Sequence, residues 1–317
     1  MDDRTTDPRK PQPAPAPEML ADIGFYAPRT LAEALELKAE LKGKTRVVAG
    51  GTDVMVWQGS HRQPLPASYL SIWGLRELKY VRVHDGVLQI GALATYTELL
   101  ASRLLHQHFP DLADACAQVG AVQIQNRGTL AGNVVNASPA GDSIPSLAVH
   151  DAVFVLESRD RGERRVPFAD FYLGYRQTAL AEDELLTRVE LVVPPNDTAC
   201  QFAKIGSRRA QTISKAMGAI RATFDAEGRF ESVAIAFGAV APVIVRMPQT
   251  EAAMIGHHPS VSLIDRIEHV LQQEISPISD VRSDAAYRRF VTAGILRRFM
   301  RAWEPEGGRI VELPFRA

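Results

Sequence analysis

Hydrophobic positions along the chain change period in blocks. After Thr30-Leu31-Ala32-Glu33, a capping-box pattern, Leu31, Ala34, Leu35, Lys38 and Leu41 recur at helical spacing, and Gly43 is placed to end the helix. Residues 46–49, RVVA, then read as a short buried strand that runs directly into Gly50-Gly51-Thr52-Asp53. Two alternating runs, 81–83 and 87–90, flank His84-Asp85-Gly86 and predict a hairpin with an Asp-Gly turn. Thr95 to Glu98 repeats the capping box and opens a helix that Pro110 interrupts, with a further helix reaching Val119. Residues 153–156 and 165–168 predict a strand pair across SRDRGE, and 185–193 a strand closed by Pro194-Pro195.

Beyond that Pro-Pro-Asn-Asp run, segments 201–206, 216–224 and 232–240 read as strands of an antiparallel sheet. From Gln249 onward the pattern is helical, and Tyr287, Phe290, Val291, Ile295 and Phe299 are expected on one face of the last helix. Residues 1–20 are rich in Pro and charge, and the alternating Pro-Ala run PQPAPAPE within them favours extended backbone and predicts a flexible tail or a strap onto a partner. The expected organisation is α+β without repeats: a tail at 1–20, a first domain at 21–197 and a second at 198–317.

The 317 residues suffice for two domains with a substantial core, and 46% apolar with 23% charged residues is ordinary for a globular protein. With 36 basic against 37 acidic side chains, no net field points to nucleic acid or an anionic membrane surface. No apolar run is long enough to span a bilayer and no signal-peptide core opens the chain, so a cytoplasmic location is expected. Cys116 and Cys200 alone can form neither a disulfide framework nor a four-thiolate cluster, and two inert buried thiols are expected.

Several motifs look like chemistry and fail on spacing. Gly43-Lys44-Thr45 lacks the P-loop glycine, because position 38 is Lys, and its strand follows rather than precedes it; a solvated helix end is expected. No GxGxxG or GxSxG occurs. His106, His108, His257 and His258 have no carboxylate or thiol at ligand spacing, so no metal site is expected.

Two glycine clusters remain. AGGTD at 49–53 leaves a buried strand through paired glycines, a turn that can present backbone N–H groups to an anion such as a pyrophosphate. QIQNRGTLAGNVVNASPAGD at 123–142 is expected as a long loop whose glycines permit close approach and whose Thr129, Asn133 and Asp142 offer polar contacts. Asp142 could take a ribityl or ribose hydroxyl in a charge-assisted hydrogen bond. Together the clusters fit a large polar cofactor held between two subdomains.

VVAGGTD, QIQNRGTLAGNVVNASPAGD, FYLGYRQTALAEDELL at 171–186 and FAKIGSRRAQTISK at 202–215 resemble, in the same order, the FAD-binding medium subunit of the molybdenum hydroxylases. Within that family they look most like xanthine dehydrogenase and are also similar to carbon monoxide dehydrogenase. The resemblance covers residues 22 to about 305. It implies a two-subdomain FAD-binding domain of the p-cresol methylhydroxylase type, followed by a domain of antiparallel sheet and helices. By motif position, Val47, Val48, Ala49, Gly50, Gly51, Thr52, Asp53 and Val54 would wrap the pyrophosphate and adenosine side. Thr129, Leu130, Ala131, Gly132 and Asn133 would line the other side, Asp142 would hold a polar group and Leu186 would touch the isoalloxazine edge.

Lys204 would lie near the electron-rich side of the ring or the adenine end, and Tyr175 near the face where a nicotinamide stacks. A cation near a flavin also stabilises its anionic reduced form. One position departs from the pattern: Val119 stands where the animal xanthine dehydrogenases cover the flavin with an aromatic ring.

The resemblance further implies partners. A large subunit would carry molybdopterin and a small one two [2Fe-2S] clusters, the whole a dimer of heterotrimers that passes electrons through FAD to NAD or another acceptor. No side chain of this chain need be catalytic. Two alternatives stay open: a standalone FAD-dependent reductase of the same fold, whose catalytic Ser and Glu cannot be placed here, and a scaffold subunit without flavin.

Overall fold

The computed structural model describes residues 23–60, 65–208 and 211–304, so the Pro-rich tail lies outside the described residues. The chain opens with β1 (Gly24–Tyr26), α1 (Leu31–Glu40), β2 (Thr45–Val48), α2 (Thr52–Ser60) and β3 (Ser68–Ser71). These strands form a small parallel sheet in the order β1-β3-β2. Thr30 caps α1 by accepting from Glu33 N, while the Glu33 carboxylate takes Arg29 N.

A second sheet follows from β4 (Val81–His84), β5 (Val87–Gly91), β6 (Val153–Ser158), β7 (Gly162–Pro167) and β10 (Leu185–Val192). It is antiparallel in the order β4-β5-β10-β6-β7. Asp85 and Gly86 both adopt positive φ, 50° and 73°, as the tight hairpin between β4 and β5 requires. Between β5 and β6 lie six short helices: α3 (Tyr96–Ala101), α4 (Arg103–His108), α5 (Pro110–Ala117), α6 (Val122–Gln125), α7 (Leu130–Asn136) and α8 (Ile144–Val149). After β7 come α9 (Phe168–Phe171) and the two-stranded β8 (Tyr172–Gly174) and β9 (Gln177–Thr178).

The Thr95 capping box is complete in both directions. Its helix breaks at Ser102, well before the expected Pro110, and Pro110 instead starts α5 at its first turn. The segment 123–142, expected as a loop, is half helical. Thr129 accepts from Gly132 N and so caps α7, and Ala137, in the left-handed region at φ 49°, ends it. Leu130, Ala131 and Val134 are buried, so tertiary packing holds a helix that Gly and Asn would not form alone.

The rest is β11 (Ala199–Ile205), β12 (Ala216–Phe224), β13 (Phe230–Gly238) and β14 (Val245–Arg246), then α10 (Pro248–Met254), α11 (Val261–Glu274) and α12 (Ala285–Trp303). The strands form the antiparallel sheet expected, in sequence order. Its strands are apolar on both faces for a reason. Met217, Ala219, Ala234 and Ala236 join the core beneath α8, while Ala216, Ile220, Ile235 and Phe237 join a second core with α11 and α12. Every residue of α8 is buried, as befits a helix enclosed between two layers.

On α12 the buried row is Arg288, Val291, Thr292, Ile295, Leu296, Phe299, Met300 and Trp303. Tyr287 and Phe290 fall on its flank, 38% and 72% exposed, which corrects the face expected from the sequence. A buried polar pin also joins the layers: His150, capping α8, meets Asp111 of α5 at 2.9 Å, and both side chains are fully enclosed. Cys116 is buried and Cys200 half-buried, the latter beside this pair.

Candidate flavin cleft

β2 delivers the chain to Gly50-Gly51, and α2 starts immediately after it. The first bond of that helix runs from Met55 N to Gly51 O, so the N–H groups of Thr52, Asp53 and Val54 precede the intrahelical ladder. Gly51 turns at φ 81°. Gly50 is required by contact: a Cβ there would stand 1.6 Å from the carbonyl oxygen of Arg127. The two glycine clusters, distant in sequence, therefore touch through their backbones.

Arg127 reinforces that contact. Its Nε donates to Gly50 O at 3.4 Å, and its guanidinium lies 4.1 Å from the centroid of the Trp73 ring. On the other side, Tyr96 N donates to Gly128 O at 3.0 Å and Thr95 bridges Thr129, which fixes the start of α7 against the first turn of α3.

The clusters enclose a cleft of about 1580 Å³. Val47, Ala49, Gly50, Gly51, Thr52, Asp53 and Val54 line it from the first, and Thr129, Ala131, Gly132, Asn133 and Asp142 from the second. Leu186 and Tyr175 also border it, as does Val119. Three expected residues sit behind the wall. Leu130 is fully buried in the core, Val48 pairs within the parallel sheet, and Lys204 reaches the cleft only through Asp142. Gly43, Lys44 and Thr45, expected as a solvated helix end, form part of the rim, as does Arg46.

Asp142 is the most constrained polar group here. Lys204 Nζ donates to its Oδ2 and Ser214 Oγ to its Oδ1, each at 2.6 Å. Burial pushes its carboxyl above the usual carboxylate range, against the opposing pull of Lys204 and Ser214. Asp53 is raised too, again by burial, with the Arg176 charge opposing. Arg176 donates to Asn136 Oδ1 at 2.8 Å, which ties the β8–β9 hairpin to the end of α7 and leaves Tyr175 61% exposed at the cleft mouth.

Ser214, Arg176 and the Trp73–Arg127 stack were not legible in the sequence. Each acts across a long separation, and only the folded chain brings it to the site.

The donors and shape fit FAD. Unladdered N–H groups beside two glycines suit a pyrophosphate, small side chains permit close approach, and Asn133, Thr129 and Asp142 offer hydroxyl and amide partners. The volume exceeds the roughly 300–1,000 Å³ of ordinary small-ligand pockets, as a dinucleotide needs. Among the described residues, Asp111, His150 and Cys200 bring potential metal ligands within 4.8 Å of one another, but these three are absent from the cleft lining.

Residues 21–194 match the family model described as the FAD binding domain in molybdopterin dehydrogenase, and 201–303 match that of the CO dehydrogenase flavoprotein C-terminal domain. The nicotinate dehydrogenase FAD-subunit of Eubacterium barkeri is 30% identical over 283 residues, 88% of this chain and 95% of that protein. The putative xanthine dehydrogenase FAD-binding subunit of Escherichia coli K12 is 29% identical, covering 83% and 90% respectively. Among solved structures, carbon monoxide dehydrogenase of Hydrogenophaga pseudoflava superposes with a TM-score of 0.82 at 25% identity, over 87% of this chain and 95% of that one. With the cleft, its glycine walls and both domain models in agreement, the chain belongs to the FAD-binding subunits of the molybdopterin-dependent dehydrogenases, an oxidoreductase family.

Proposed function

We propose that the chain is the FAD-carrying electron-transfer subunit of a cytoplasmic, xanthine dehydrogenase-like molybdenum hydroxylase. A large partner would oxidise the substrate at molybdopterin, and a small one would pass electrons through [2Fe-2S] clusters to this subunit for delivery to NAD or another acceptor. The assembly would be a dimer of heterotrimers. The observation that carries the reading is the cleft itself, walled by both glycine clusters and by Asp142.

Bound FAD supplies the exchange between one- and two-electron steps. This chain's residues bind and orient it. Gly50, Gly51 and the first turn of α2 offer N–H groups to the pyrophosphate, with no side chain in the way at the glycines. Thr129, Ala131, Gly132 and Asn133 supply the facing wall, Asp142 a fixed acceptor, and Leu186 an apolar edge. Tyr175, exposed at the mouth, would offer its ring to an acceptor such as a nicotinamide. In this reading residues 21–197 hold the flavin, and 198–317 form the unit that contains Lys204 and Ser214.

Co-expression with candidate large and small partners tests the reading. The purified complex should contain molybdenum and iron together with this chain, and the substrate should bleach its flavin absorption. A chain that purifies with flavin but never with such partners, and whose flavin is reduced directly by a nicotinamide, would contradict it.

A further inference from the structure

Asp142 faces the cleft, yet both of its oxygens are held from behind. Lys204 of β11 donates to one oxygen at 2.6 Å and to the Gln118 carbonyl at 3.1 Å, which commits two of its three protons to protein partners. Its side chain is 5% exposed and does not line the cleft. Ser214, buried in the segment leading to β12, donates to the other oxygen at 2.6 Å. An ionised carboxylate only accepts, and each oxygen keeps a lone pair after one such bond. Asp142 therefore presents the cleft with an acceptor whose orientation is set by a different part of the chain.

We propose that Lys204 and Ser214 are positioning residues that hold Asp142 as a fixed, acceptor-only wall for an N–H or O–H donor of the bound flavin. Lys204 then acts on the cofactor through Asp142, not by contact. The inference rests on the flavin reading of the cleft. Without its cation a buried carboxyl takes up a proton rather than stay charged, and one oxygen becomes a donor. Burial already favours that exchange at Asp142. Tyr96 of α3 is also within electrostatic reach of both Asp142 and Asp53, and it is directed to Ser143 at 3.4 Å.

A double-mutant cycle on the full chain, with FAD as the titrated probe, tests this. Lys204→Met and Asp142→Asn should each weaken FAD binding about tenfold, and the double variant should be no weaker than Asp142→Asn alone. Multiplied losses, about a hundredfold in the double variant, would overturn the proposal by giving Lys204 its own effect on FAD. Lys204→Arg, which keeps a donating cation, should recover most of the affinity; recovery by methionine but not arginine would leave only a packing role and also overturn it.

If Lys204→Met does not fold, Ser214→Ala in the same cycle carries the test, with the same non-additivity expected. FAD methylated on its ring N–H separates the two donors. A loss seen only when Asp142 is present assigns the ring, and no loss assigns a ribityl hydroxyl. A wild-type chain that binds no FAD would remove the flavin reading itself, an outcome distinct from multiplied losses in a chain that does bind.

Discussion

At Gly50 the backbone contact leaves no room for a side chain. An alanine methyl would overlap the Arg127 carbonyl at 1.6 Å, so strand end or loop must move. Gly50→Ala should cost about 1–3 kcal/mol of stability and lower FAD affinity at least tenfold. Gly74→Ala, where nothing lies within 4 Å, is the control that should do neither. Thermal melts of the apo chain and FAD titrations measure both. Asp111 is a second residue whose surroundings decide its state. Burial alone would raise its carboxyl, but the charge and hydrogen bond of His150 outweigh it and hold it below the usual carboxylate range. A carboxyl depressed on folding contributes stability above its unfolded value, roughly 3.9, and loses that contribution as pH falls through the folded value. Asp111→Asn should therefore cost about 3–5 kcal/mol near neutrality and flatten the loss of stability below about pH 4, read from urea midpoints across pH.

The elements of the cleft differ in how far the sequence discloses them. Strand and hairpin signals were direct, because Asp85-Gly86 meets the turn's positive φ at both positions and β12 and β13 keep a period of two. The helical state of 123–142 was hidden, since Gly and Asn disfavour a helix and its support comes from burial against distant elements. Likewise the buried face of α12 depends on which side the sheet covers, and that left Phe290 in solvent. Caps can be separated from cofactor contacts at this scale. Thr95→Ala and Thr129→Ala each remove an N-cap, from α3 and α7, and each should cost about 1 kcal/mol. Only Thr129 borders the cleft, so only Thr129→Ala should also weaken FAD binding. Equal losses of affinity in both variants would mean that helix stability alone governs the site.

Across the whole molecule, the cleft is a product of three regions whose joint role was expected from the sequence but whose contacts were not. The paired glycines and the polar segment were visible as candidates; their backbone contact was not, because it links Gly50 to Arg127 without any complementary side-chain pattern. The C-terminal sheet shares one of its faces with the core of the first region and sends Lys204 and Ser214 to Asp142. Flavin binding should thus depend on the C-terminal part of the chain as well as on the glycine clusters. Among the described residues no helix is long and apolar enough to cross a membrane. The most direct test of the account is the flavin content of the purified chain, measured by absorption at about 450 nm and by release on denaturation. One FAD per chain, retained or restored by reconstitution, is the predicted result; a folded chain that stays colourless at saturating FAD would contradict it.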